Sequence, residues 1–144
     1  MSIYQALYVI VSLLAFAVGW LGGGHVERRA VIAVMITFIA SVLVQDLESG
    51  RIRWAVIVVD AVLVAYLLRE AMIRDRWWLL VAGAGGILNM WAHAAMFLDP
   101  DLSLRTNVAT RWLIGFMMIV ALAMGPLERR WAGERSVFMT WLRG

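Results

Sequence analysis

Five apolar runs divide this chain, and short arginine-bearing breaks separate them. They extend from Ile3 to Leu21, Ala30 to about Val44, Trp54 to Leu68, Trp77 to Leu98 and Trp112 to Leu127. A helix that crosses a bilayer needs about 20 mostly apolar residues. The first and fourth runs meet that length. The second, third and fifth must borrow flanking residues, with Arg51, Arg53 and Arg111 expected to reach outward to the interface on their aliphatic stems. Strands fit poorly, because barrel strands alternate apolar and polar positions and these runs do not. Backbone groups in hydrocarbon must bond internally, so each run is expected to be a helix. The fold expected is all-α: a polytopic transmembrane bundle of five spans over residues 1–127.

Composition points the same way. Of 144 residues, 63% are hydrophobic and 16% charged, whereas soluble domains are about a quarter charged. A domain this small leaves much of its surface exposed and cannot hide so much apolar area from water. The expected surroundings are a lipid bilayer, and the expected location is a bacterial inner membrane that the chain crosses several times.

Arginine sets the orientation. All 13 Lys-or-Arg residues are Arg. With the N-terminus outside, nine fall on the cytoplasmic side (Arg28, Arg29, Arg69, Arg74, Arg76, Arg129, Arg130, Arg135, Arg143) and four outside (Arg51, Arg53, Arg105, Arg111). The positive-inside rule therefore favours N-out, C-in. Trp20, Trp54, Trp77, Trp78, Trp112 and Trp131 fall at run ends, where indole rings settle among headgroups. Only Trp91 is well inside a run. Residues 128–144 are expected to form a cytoplasmic amphipathic tail. There Leu127, Trp131, Phe138 and Leu142 can share one helical face, opposite Glu128, Arg129, Glu134 and Arg135. Gly133 weakens that short helix.

Several chemistries are excluded or disfavoured. The absence of cysteine removes disulfides and thiolate sites. A net charge of +3 spread over scattered arginines is not the basic, aromatic surface of a nucleic-acid binder. Ala15-Phe16-Ala17 looks like a signal cleavage site. No basic residue precedes it and the apolar run continues beyond, so an uncleaved first helix is expected. Asp99, Asp101 and Ser103 have the opening spacing of a calcium loop, but Leu104 and Thr110 stand where its glycine and glutamate belong. An outer turn with a helix cap is the better reading. Gly22-Gly23-Gly24 lacks the Lys-Ser/Thr of a P-loop, and no hydrolase or zinc-protease motif occurs. Neither catalytic residues, a metal site nor a cofactor is expected.

The informative polar residues lie inside the runs. Asp60 sits between Val59 and Ala61, near the centre of the third. A carboxylate at that depth must be paired, protonated or wet. Asn89 and His93, four apart on one face of the fourth run, are its expected partners. Ala82, Gly86, Asn89, His93 and Met96 form one seam, whose small members admit a neighbouring helix and whose polar members bond across it. Thr37, Ser41 and Gln45 recur every four residues on the second run, and Gln5, Ser12 and Gly19 every seven on the first. Both stripes can line a wet cavity, but hydrogen bonds between helices are the favoured reading. A bis-histidine haem is disfavoured, since the topology puts His25 and His93 on opposite sides.

The function expected first is a non-catalytic accessory, assembly or scaffold subunit that packs against another membrane protein or a second copy of itself. The alternative is a small oligomeric transporter or channel that uses Asp60, Asn89 and His93.

Overall fold

The computed structural model describes residues 3–45, 53–99, 101 and 103–134, and among them are five α-helices and no strand. In chain order these are α1 (Ile3–Gly22), α2 (His25–Gln45), α3 (Trp54–Arg74), α4 (Trp77–Leu98) and α5 (Leu104–Trp131). Phe138 and Leu142 of the expected tail helix lie outside the described residues.

Three helices outrun their apolar runs, because helix propensity does not stop where apolarity stops: Arg, Glu and Met are good helix formers. Helix α2 begins five residues before Ala30. There Glu27 Oε2 accepts from the Gly24 N–H at 2.7 Å, which satisfies a donor left over at the helix start. Helix α3 continues to Arg74 and ends on Asp75 in the left-handed conformation, at φ 50° and ψ 48°, a region that aspartate tolerates better than most residues. Helix α5 begins at Leu104 behind Ser103, whose Oγ accepts from the Thr106 N–H at 3.1 Å. Just before it, Asp99 Oδ1 accepts from the Asp101 N–H at 2.9 Å. Helix α5 also passes through Pro126 and ends at Trp131, four residues beyond the Leu127 expected from hydropathy.

Two helices, α4 over Trp77–Leu98 and α5 over Arg105–Trp131, are long and apolar enough to cross a membrane. The apolar stretch Ala6–Gly22 of α1 is shorter. Helix α2 opens on Glu27, Arg28 and Arg29, and α3 carries Asp60, Arg69, Glu70 and Arg74. These charges interrupt the apolarity that a span is recognised by. Five helices are thus observed, and two of them have the character of membrane spans on length and composition.

The helices form a ring in sequence order, α1 to α5, with α5 closing against α1. The α4–α5 and α3–α4 contacts are the most extensive, and the α1–α2 contact is the thinnest link in the ring. Glycine permits the close α3–α4 approach: a Cβ at Gly86 would stand 2.6 Å from Val64 Cγ2, and one at Gly83 would stand 2.8 Å from Leu68 Cδ2. The packed core occupies the end of the ring that holds the α1–α2 and α3–α4 turns. It comprises Ala30, Val31, Leu63, Leu67, Ala71, Trp78, Leu79, Ala82, Ala121 and Leu122. Trp78 belongs to this core and has no exposed surface. It is therefore not one of the interfacial rings that its position in sequence suggests, whereas its neighbour Trp77 is exposed. Side chains facing away from the ring are large and apolar on every helix, among them Leu14, Ile36, Val62, Leu88 and Leu113.

Candidate functional site

The opposite end of the ring is hollow. A partly open cavity of about 520 Å³ lies among all five helices. Its polar wall contains Asp60 and Arg53 from α3 and its leading residue, Asn89 from α4, Arg111 from α5, Tyr8 and Ser12 from α1, and Thr37 and Ser41 from α2. Its apolar wall includes Phe16, Val34, Leu63, Val64, Met118 and Leu122.

Asp60, Asn89 and His93 meet at the polar wall. Asp60 Oδ2 accepts from Asn89 Nδ2 at 2.8 Å and lies 3.0 Å from His93 Nε2. A carboxylate can only accept, so with Asp60 ionised it is His93 Nε2 that carries the proton in this contact. His93 is buried and Asp60 nearly so.

Arg111 completes the cluster, contrary to the expectation that it reaches outward to the interface. Its Nη2 donates to Asp60 Oδ2 at 2.8 Å, and its Nε donates to Asn89 Oδ1 at 3.1 Å. Asn89 thus gives a hydrogen bond to the carboxylate and takes one from the guanidinium, which fixes its amide orientation. The reason for the difference is where α5 starts. Hydropathy begins the segment at Trp112 and so leaves Arg111 in a loop. Ser103 caps the helix earlier, which puts Arg111 about 10 Å inside α5 at 1.5 Å per residue. There its side chain faces the bundle. Asp60 stays about 9 Å from the start of α3, but α3 extends to Arg74 rather than Leu68, so that depth falls in the first third of the helix and not at its middle.

Asn107, one turn before Arg111 on the same helix face, is buried and donates through Nδ2 to the Ala92 carbonyl. This ties α5 to α4 next to His93 and sets the register that brings Arg111 to Asp60. Sequence alone carried one signal for both residues: Asn107 and Arg111 are four apart, as Asn89 and His93 are.

Thr37, Ser41 and Ser12 border the cavity, whereas Gly19, at the other end of the α1 stripe, packs closely on α2, where an added Cβ would stand 2.9 Å from Val31 Cγ2. Ser12 Oγ itself donates back to the Tyr8 carbonyl at 2.7 Å. The side chains of Gln45 and Gln5 lie outside the described atoms. His25 is exposed at the other end of the molecule, remote from His93. Among the described residues no three His, Cys, Asp or Glu side chains converge as a metal site.

A second polar cluster lies at the packed end. Glu27 is wholly buried, and its Oε2 is 3.4 Å from Arg129 Nη2. Arg129 also reaches Glu134 at 3.0 Å. Arg76 Nη2 bonds both oxygens of Glu134, at 2.6 and 2.7 Å. The Arg76 hydrogen bond holds the Glu134 carboxyl below the ordinary carboxylate range, and the pairing raises Arg76 in turn. Glu70 is buried beside Arg69 and Arg74, at 3.1 and 3.3 Å. These are structural clamps on the helix ends.

No protein-family model, no curated protein and no solved structure matches this chain.

Proposed function

We propose that this chain is a five-span protein of a bacterial inner membrane, N-terminus outside and C-terminus inside, that binds a small molecule without catalysing a reaction and belongs functionally with small carriers. The observation that carries this reading is the cavity. Its volume of about 520 Å³ falls within the roughly 300–1,000 Å³ typical of small-molecule pockets, which combine apolar walls with a few placed polar groups. One chain encloses it, so no oligomer is needed to make a site.

The membrane part of the proposal draws on the outward-facing apolar side chains of all five helices. Exposed patches of that extent are foreign to soluble monomers. The orientation draws on arginine. With Arg111 turned inward onto Asp60, the outer side loses a loop arginine and the cytoplasmic excess grows. An Asp–Arg pair inside the bundle is how charged groups persist at membrane depth.

Thiol accessibility tests this reading, and the lack of native cysteine means that single-cysteine variants need no background removed. In intact cells, Ser41→Cys should react with a small impermeant thiol reagent added outside, and Arg74→Cys only after permeabilisation. Ser41→Cys unreactive from both sides would mean a sealed, dry space and would remove the proposal. Labelling of Arg74→Cys from outside would invert the topology.

A second reading, the accessory or scaffold subunit, is favoured by Trp91. It is 64% exposed well inside α4, away from the headgroup zone where such rings settle, and buried indoles commonly anchor interfaces. Mild detergent extraction should then recover a stoichiometric partner that Trp91→Ala releases.

A further inference from the structure

We infer that the cavity takes an uncharged lipophile with a hydroxyl head, a long-chain alcohol or a monoacylglycerol, whose hydroxyl donates to Asp60; this rests on the binding role proposed above and names its ligand class. Three observations converge. The first is how Asp60 is used. Asn89 Nδ2, His93 Nε2 and Arg111 Nη2 all meet one oxygen, Oδ2, at 2.8, 3.0 and 2.8 Å. Among the described residues no donor reaches Oδ1. That oxygen is not one of the buried atoms left without a partner, so it stands open on a side chain that borders the cavity. With Asp60 ionised, Oδ1 can only accept, and the group that suits it is a donor.

The second observation is charge. Asp60 and Arg111 answer each other at 2.8 Å, and Arg53 is engaged as well. A charged ligand would leave water without an opposite charge to meet it, which is costly in an apolar site. An uncharged donor leaves the Asp60–Arg111 pair intact.

The third observation is the layout of the wall. Tyr8, Thr37 and Ser41 bring hydroxyls to the cavity, and none of the three hydroxyls bonds to another described residue. A hydroxyl head both gives and takes a hydrogen bond, so it matches an open carboxylate oxygen and these donors together. Asp60 and Arg111 stand toward the starts of α3 and α5, whereas Val64, Met118 and Leu122 line the cavity further along the same helices. A head at the first level puts its chain against the second, ending above the packed core to which Leu122 belongs. Entry is easiest between α1 and α2, the thinnest contact in the ring, where Val9 and Phe38 border the cavity on either side.

Native mass spectrometry of the full chain in a neutral detergent tests this. The probes are tetradecanol, monomyristoylglycerol, tetradecyl methyl ether, myristate and tetradecylammonium. Tetradecanol should be retained about tenfold more tightly than the ether, which has the same oxygen but no donor, the margin expected of a hydrogen bond to a charged acceptor. Both ions should be retained less than the alcohol. The tighter of tetradecanol and monomyristoylglycerol identifies the head. Thr37→Val/Ser41→Ala should weaken alcohol and ether alike and keep the margin between them. Asp60→Asn/Arg111→Gln should shrink that margin. Ser41→Phe, which fills the cavity from α2, should displace every probe; should its melting curve show loss of fold, Thr37→Phe takes its place.

Equal retention of alcohol and ether, with Ser41→Phe displacing both, would overturn the hydroxyl head and leave a binding cavity. Myristate or tetradecylammonium held as tightly as the alcohol would overturn the uncharged class. A margin lost in Thr37→Val/Ser41→Ala would overturn Asp60 as the acceptor. Failure of every probe to bind, or binding indifferent to Ser41→Phe, would overturn the cavity as a site altogether. Where Asp60→Asn/Arg111→Gln does not fold, the alcohol and ether on the unaltered chain decide alone.

Discussion

Arg111 Nη2 and Asp60 Oδ2 lie 2.8 Å apart across 51 residues of sequence, and each makes the other tolerable where it sits. Their side chains are 22% and 12% exposed, so neither has full hydration. Asn89 bridges them and His93 adds a third contact to the same carboxylate oxygen. The pair joins α3 to α5, helices that do not lie next to each other in the ring, at the polar wall of the cavity.

Breaking one side of such a pair costs more than removing both. Arg111→Gln leaves a carboxylate without its cation and should destabilise by about 3–5 kcal/mol. Asp60→Asn/Arg111→Gln leaves no charge and should cost far less, because amide groups can still bond to Asn89 and His93. Thermal unfolding of the four members of the cycle in detergent checks this. A double variant as unstable as Arg111→Gln would mean that shape, not charge, holds the site.

The close approach of α3 and α4 gives a sharper test, because it predicts a change of sign. Gly86→Ala gains about 1 kcal/mol of helix propensity but drives Cβ to 2.6 Å from the buried, β-branched Val64. Overpacking of that kind costs about 1–3 kcal/mol, so the net effect should be destabilising. In a Val64→Ala background the clash is gone, and the same Gly86→Ala should stabilise relative to that background. Melting temperatures of the two pairs decide it.

The helices themselves were legible in the hydropathy pattern, since five runs and five helices correspond. The ends were not. Arg, Glu and Met extend a helix past the apolar stretch, and a pattern of apolar residues cannot see that. The error at one end, Trp112 instead of Leu104, is what hid Arg111. Asp60, Asn89 and His93 could be grouped from sequence because a carboxylate at depth needs donors, and helical spacing puts Asn89 and His93 on one face. Glu27 could not. It follows Gly24 at a helix start and reads as an exposed capping residue, yet Arg129 from α5 covers it. Pairings between the second and last helices leave no trace in local periodicity. The cavity was equally hidden, since Thr37 and Ser41 look the same on a helix that packs and on one that borders a hollow.

Trp78 bears on the packed end. Its ring is fully buried, against Glu27 and the position of Gly125, where a Cβ would approach both to 3.0 Å. Trp78→Ala should cost about 3–5 kcal/mol, the range for emptying a buried aromatic site. Trp77→Ala, one residue earlier but exposed, should cost well under half of that. Equal losses for the two would contradict the burial of Trp78 and restore it to the interface.

The Arg76–Glu134–Arg129 cluster makes stability depend on acid. Glu134 has its carboxyl lowered below the ordinary 4.5, chiefly by the Arg76 hydrogen bond. A group held lower in the folded state adds stability above its unfolded value and loses it as pH falls through the folded one. Arg76 is raised instead, and its contribution fades only in strong alkali. Melting temperature should therefore separate wild type from Glu134→Gln at neutral pH, and the two curves should draw together as the pH falls below 4.5. Glu134 is 40% exposed, so water and salt screen the pair, and the gap should also narrow in high salt. Curves that stay parallel down to strong acid would show that the tail is held at this end by packing, with the charge pair contributing nothing.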